Sequence, residues 1–481
     1  MAVYKTPGVY VEEISKIPPS VAGVATAIPG FVGITEKEYV AEDNPNKVVK
    51  IESLLDFEEK FGGAQKLSVN KDGELQGANF VLYDSIRLFY DNGGSTCFIV
   101  SIGDYNGKEY EDVEKYKKGI EELNKEDSIT MILAPDAAMN LKTDELGTLH
   151  KFMLKTCGEL GDRVAILDVK CSNDIDNDMK NFRTGTGTNN LSYGAAYYPD
   201  LRTTYAKHID FMKMIDYAFN KNIFTDEEKN EINKDILGKA PSTSAKNGKQ
   251  ETSSIPTVVD VEAKAHCIKK MEAKPEYQKL VTETLANANI IPPSGAIAGI
   301  YCMNDAKSGV WQSPANKSLS SVSDVKVRIS DHQQEDINVD ANNGKSVNAI
   351  RLFQGKGIIV WGARTLDGFS NEWRYISVRR LFNYVEESVK KSTSWAVFQP
   401  NDANTWVNVQ CQIENFLSNL WRDGALAGST PAQAFRVGVG LNVTMTAQDI
   451  LEGKLIVEIA MAAVRPAEFI ILRFSHKLQE A

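Results

Sequence analysis

Between Val21 and Val169, short β-branched apolar runs alternate with amphipathic stretches, and that alternation confines the chain to an α/β layer built on parallel strands. VAGVATAIPGFVGIT (Val21 to Thr35) reads as a buried strand entering a core. CFIVSIG, ITMILAPD (Ile129 to Asp136) and RVAILDV (Arg163 to Val169) read as its successors. Helices fall between them. SLLDFEEKFGG (Ser53 to Gly63) offers an N-cap serine and terminal glycines, and NFVLYDSIRLFYDNGG (Asn79 to Gly94) sets Val81, Tyr83, Ile86, Phe89 and Tyr90 on one side of a helix. A third helix is expected from Asp144 to Cys157. The strand tips after Pro135 and Asp168 carry carboxylates, which suit either a functional site or, as the favoured reading, helix N-caps.

The second half is organised differently. Asn230 to Thr257 is polar and rich in turn residues, hence a loop or insertion. A second alternating region, Asp324 to Asn348, leads into the strand GIIVWGART (Gly357 to Thr365) and then a helix from Trp373 to Lys391. There Ile376, Val378, Leu381, Phe382, Val385 and Val389 form an apolar stripe. Arg379, Arg380, Glu386, Glu387 and Lys390 occupy the other faces, which suits a partner or plain solvation. A helix over Gln410 to Gly428 is followed by two strands, FRVGVGLNVT and KLIVEIAMAAV (Lys454 to Val464).

Both ends look like isolated strands. Val9 and Val11 alternate with Tyr10 and Glu12 between Pro7-Gly8 and Pro18-Pro19. Beyond Pro466, Ile470, Leu472 and Phe474 alternate with Phe469, Ile471 and Arg473. An isolated strand exposes N–H and C=O groups that must pair within its own domain or with another chain's sheet.

Composition closes other routes. At 481 residues the chain has room for two or three domains, and the charge of −10 would repel a phosphate backbone. No run reaches the ~18 apolar residues of a membrane span, and the opening MAVYKTPGVYVEE lacks the basic and apolar segments of a secretory signal, so cytoplasmic folding is expected. Cys97, Cys157, Cys171, Cys267, Cys302 and Cys411 contain no C-x-x-C pair and read as buried thiols. The five histidines show no metal-ligand spacing. Gly344-Lys345-Ser346 has Val339 where a P-loop needs glycine, and TGTGTNN (Thr184 to Asn190) lacks the third glycine of a dinucleotide fingerprint, so it reads as a flexible loop. Neither a catalytic residue, a metal nor a cofactor is expected, and the chain does not read as an enzyme.

Several segments taken in order resemble the contractile tail sheath family of phages, pyocin-like bacteriocins and extracellular contractile injection systems. They are YKTPGVYVEE (Tyr4 to Glu13), AIPGFVGIT (Ala27 to Thr35), FYDNGGSTCFIV (Phe89 to Val100), PPSGAIAGIYCMNDAKSGVWQSPAN (Pro292 to Asn316) and most of Asn348 to Leu472. The sharpest are WGARTL, WRYISVRRL, FQPND, FLSNLWRDGAL and VRPAEFIIL. Glu36 to Asn79 and Asn230 to Thr257 carry no family motif.

The resemblance implies an N-terminal arm (1–20), an outer α/β domain with a mainly parallel sheet (21–347), an α+β inner domain facing a tube (348–465) and a C-terminal arm (466–481). It implies stacked six-fold rings around an inner tube, assembled in the cytoplasm as part of a phage tail or a released particle. The implied partners are copies of the chain itself, the inner tube protein, and baseplate and terminator or cap proteins, with neither nucleic acid nor membrane insertion. Val9, Tyr10 and Val11, and Phe469, Ile470, Ile471, Leu472 and Phe474, would be strands donated between subunits. Pro7, Gly8 and Pro466 would be hinges, and Arg379, Arg380, Lys390 and Lys391 would meet the tube. Another tail component, baseplate- or tube-related, is the alternative, with an α/β enzyme further behind.

Overall fold

A computed structural model describes residues 21–37, 48–70, 72, 75–76, 79–207, 209–237, 268–269, 271–340 and 344–471. Among these, nine strands form one sheet. In chain order they are β1 Pro29–Thr35, β2 Val49–Ile51, β3 Cys97–Asp104, β4 Met131–Leu133, β5 Val164–Asp168, β6 Gly194–Tyr198, β7 Lys317–Ser318, β8 Asn348–Phe353 and β9 Gly357–Trp361. Their order across the sheet is β7-β9-β8-β6-β5-β4-β1-β3-β2. The six strands from β3 to β8 across the middle are parallel, whereas β2, β9 and β7 run antiparallel to their neighbours. The mainly parallel α/β expectation holds.

Neighbouring residues on one strand serve different cores, because successive side chains point to opposite faces. Phe31, Ile99, Leu133, Ile166 and Tyr197 pack beneath helices α1 Leu82–Asp91 and α2 Ser294–Ser308. Val32, Val100, Ile132, Leu167 and Tyr198 pack on the other face against helices at Val113–Leu123, Thr143–Leu160 and Ile175–Gly185. Burial on both faces is what makes these strands near-continuous apolar runs. Gly295 and Gly299 let α2 lie directly on α1, since a Cβ at either would come within 2.3 Å of Ser85 O or 2.5 Å of Phe89 O.

The carboxylates at the strand tips cap helices, and not the helices that follow them in sequence. Asp136 accepts backbone N–H bonds from Val81 and Leu82 (2.6 and 3.0 Å) at the start of α1, and from Ile34 (2.7 Å) in β1. Asp168 accepts from Ser294 N (2.9 Å) and Ser294 Oγ (2.5 Å) at the start of α2. Amides that a helix leaves unsatisfied at its first turn are thereby bonded inside the core.

The smaller C-terminal unit holds helices α3 Ile376–Ser392 and α4 Ala403–Arg422 and the antiparallel strands β10 Phe435–Val439 and β11 Val457–Met461. Leu381, Val385, Ile413, Leu417, Leu420 and Val437 form its core. Two boundaries differ from expectation. The division at 347/348 falls inside the large sheet, because β8 pairs with β6 through Asn348 and Ala349. Helix α4 begins seven residues before Gln410, because Asp402 caps it through Thr405 N (3.0 Å). The thiol expectation fails at Cys411, which is exposed, whereas Cys97, Cys157, Cys171 and Cys302 are buried. Cys267 lies outside the described residues. Among the described residues no helix is long and apolar enough to cross a membrane, and no group of three metal-ligating side chains occurs.

Candidate assembly interface

Three features on the C-terminal unit can engage another chain: the β10–β11 pair, the last turn of α3, and the roots of the two terminal segments. β10 and β11 run from Phe435 opposite Met461 to Val439 opposite Val457. No third strand joins them among the described residues. Val437 and Val439 are buried, Val437 within the unit's core, while Arg436 and Glu458 point to solvent. A two-stranded pair of this kind keeps unfilled backbone valences along its outer edges.

Helix α3 carries the expected stripe, with Ile376, Val378, Leu381 and Val385 buried. Two of the four basic residues expected to meet a tube are not on its outer faces. Arg379, 5% exposed, lies 4.2 Å from the Trp373 ring centroid and 4.7 Å from that of Tyr193, and donates to Asn383 Oδ1 (2.7 Å). Arg380, 4% exposed, makes a two-pronged pair with Asp305 on α2 at 2.6 and 3.0 Å, donates to Thr26 O and lies over Tyr301. Both arginines are spent inside the chain, where stacking and pairing desolvate them. Lys390 and Lys391 remain at the surface, each 3.2 Å from Glu387. Cations in a last turn also meet the negative end of the helix dipole.

The segment before β1 lies along α3. Ala22 N donates to Ser392 Oγ and Val24 N to Ser388 Oγ, both at 3.2 Å. Val21 is buried in the C-terminal core. At the other end of the chain, Val464 N donates to Ala425 O (3.2 Å), and four residues later Glu468 is gripped from three sides. Arg364 donates through Nε (3.0 Å) and Nη2 (2.6 Å), Asn338 through Nδ2 (3.1 Å) and Tyr375 through its hydroxyl (3.2 Å). Burial alone would raise the Glu468 carboxyl, but these donors hold it below the usual carboxylate range. Phe469, Ile470 and Ile471 follow at 70, 81 and 77% exposure, without strand pairing. Pro466 lies between two held residues. Pro7, Gly8, Val9, Tyr10, Val11, Leu472 and Phe474 lie outside the described residues.

The FQPND motif is also accounted for locally. Besides the Asp402 cap, Asn401 accepts from Trp406 Nε1 (2.7 Å) and donates to Lys454 O (2.9 Å), tying α4 to the approach of β11. Phe398 stands fully in solvent at a φ of +66°. Lys345, in the sequence that superficially suggests a phosphate loop, donates to the Arg183 carbonyl. The Arg364–Glu468 grip was invisible to local pattern reading, although both residues sit in segments that carry the family resemblance.

Residues 370–477 match the phage tail sheath C-terminal domain family. A tail sheath protein of Vibrio phage KVP40 is 27% identical over 130 residues, which is 27% of this chain and 19% of that protein. The matches to curated relatives span between 19% and 44% of those proteins' lengths. Solved structures also match nearly from end to end, and two of them are sheaths in a contracted state. The sheath complex of the extracellular contractile injection system PVC in its contracted state is 27% identical over 99% of both chains, with a TM-score of 0.65. The helical sheath of the anti-feeding prophage in its contracted state is 26% identical over 99% of this chain and 100% of that one, with a TM-score of 0.65.

Proposed function

We propose that this chain, which is similar to contractile tail sheaths, is the structural subunit of the sheath of a phage-tail-like injection particle. It polymerises as stacked six-fold rings around an inner tube, above a baseplate and below a terminator or cap, and contracts to drive the tube forward. Assembly takes place in the cytoplasm, and the sheath then serves in a phage tail or a released particle. The observation that carries this reading is the similarity to a contracted injection-system sheath over 99% of both chains.

Copies are linked by their termini. Val9 to Val11 of one subunit and Phe469 to Phe474 of another add as strands to the outer edges of β10 and β11, which are short and have no third strand among the described residues. Each added strand would supply about three to five backbone hydrogen bonds of ~1 kcal/mol net apiece. One link is weak, and a lattice of them is strong. Such head-to-tail links propagate without closing, which yields a tube.

Negative-stain microscopy of the expressed full chain should show long hollow cylinders. Deleting Met1 to Ser15 should abolish them while the subunit stays folded by circular dichroism. Ordered, contractile cylinders from the shortened chain would sink strand exchange, and none from the full chain in the presence of its tube would sink the sheath reading itself. With Arg379 and Arg380 buried, contact with the tube falls to Lys390 and Lys391. Reversing both charges, Lys390→Glu with Lys391→Glu, should reduce sheath assembly on tubes, and unchanged assembly rejects that contact.

A further inference from the structure

We propose that α3 is a strut that fixes where both arms leave the body, and that the C-terminal arm pivots after Glu468, where Arg364 holds it, and not at Pro466. The inference rests on the sheath reading and adds the residues that aim the arms.

The N-terminal root is matched to the helix by period. Ser388 and Ser392 are four residues apart on one face of α3, a rise of about 6 Å. Ala22 and Val24 are two residues apart in chain that is not helical, and alternate residues of extended chain repeat at about 6.6 Å on the same side. Two hydroxyls therefore catch two amides in register, both at 3.2 Å. Gly23 between them faces Tyr384, where a Cβ would sit 2.2 Å from the hydroxyl, so any larger residue has to displace that ring. Thr26 O then receives Arg380 Nη2 (2.9 Å) further back along the helix. The segment thus runs antiparallel to α3, and the chain before Val21 departs from the Ser392 end.

The C-terminal root is at the other end. Tyr375, the residue that precedes the first turn of α3, is one of the three donors on Glu468. The Arg364 side chain is 5% exposed and that of Glu468 23%, so the grip is largely screened from water. A charge-assisted, two-pronged contact fixes orientation as well as position. Pro466 lies between this grip and the Val464–Ala425 hydrogen bond, on a span held at both ends. Free rotation begins at Phe469, the first of three exposed apolar residues. The 17 residues of α3 separate the two exits by about 25 Å. When neighbouring subunits move, their links turn about two points whose separation is constant.

The test uses the full chain with a nitroxide attached through Ala467→Cys, an exposed position on the held span beside Glu468, in a background with Cys411→Ser and Cys267→Ser, so that neither the thiol exposed among the described residues nor the one outside them takes the label. In the unassembled subunit the label should show slow motion. Adding Glu468→Ala should remove the slow component at temperatures where the body is still folded, with the unfolding midpoint lowered because the buried Arg364 loses its carboxylate, and long cylinders should be lost when the same substitution is made without the label. Glu468→Gln, which keeps an acceptor for Arg364, should retain part of both. Ser388→Ala with Ser392→Ala should leave the label slow yet also cost cylinders. A label that stays slow in Glu468→Ala until the body melts overturns the pivot, because the grip is then only part of the core. Normal cylinders from the double serine variant overturn the strut. If the unsubstituted chain makes no cylinders in the presence of its tube, the sheath reading fails, and the label still decides the pivot.

Discussion

Asp305→Ala lowers the unfolding free energy of the subunit by about 3–5 kcal/mol, because it leaves the Arg380 guanidinium charged and unpaired in a buried seam. Arg380 is 4% exposed and has Asp305 as its paired carboxylate, with the Thr26 carbonyl and the Tyr301 ring as its other contacts. The seam joins α2, which belongs to the large sheet, to α3, which belongs to the C-terminal core. Chemical denaturation reads the loss as a lower midpoint. Replacing both partners, Arg380→Met with Asp305→Leu, should recover most of it, since paired removal strands no charge. If the single variant matches the unsubstituted chain, water reaches the seam and the pair does not lock the two units.

A loss of about 3–5 kcal/mol is also expected for Asp136→Ala, which leaves the N–H groups of Ile34, Val81 and Leu82 without their acceptor in the core. Thermal unfolding measures it, and an unchanged midpoint would mean that the amides find other partners. Asp136 also predicts a pH dependence. Burial, outweighing the three amides, pushes its carboxyl up to about 7, and Asp168 is pushed up to about 7 in the same way. A carboxyl whose folded pKa is raised contributes stability that is present in full below its unfolded pKa of about 4 and is lost as pH rises through about 7. The melting temperature should therefore decline across that window. Asp136→Asn keeps one acceptor oxygen and cannot ionise, so its decline should be shallower.

What the sequence made legible was whatever repeats locally. Phe31 and Val32 belong to different cores because strands have a period of two, and the runs around them announce burial on both faces. The strand-tip carboxylates were readable as caps, but their partners were not. Asp168 serves a helix that starts at Ser294, and only the fold brings the two together. The 347/348 boundary failed for the same reason, since the place of Asn348 is set by Tyr197. Arg379 and Arg380 looked like surface charges because a helical projection shows neighbours on one helix, whereas Tyr193 and Asp305 come from elsewhere. The grip on Glu468 depends on Arg364, 104 residues earlier. Family resemblance supplied the segments and physical pairing supplied the contacts.

Among the described residues the outer edges of β10 and β11 have no strand partner, and this has a consequence for the free chain. An edge waiting for a strand accepts whatever extended segment arrives first, including the same edge of another free copy. The pair limits this by its shortness, five residues per strand, and by the charges of Arg436 and Glu458 on its solvent face. Those guards slow mispairing without abolishing it. Under the proposed sheath reading a concentrated pool of free copies is therefore colloidally unsafe, and a growing end that consumes copies as they are synthesised would double as the means of keeping them soluble.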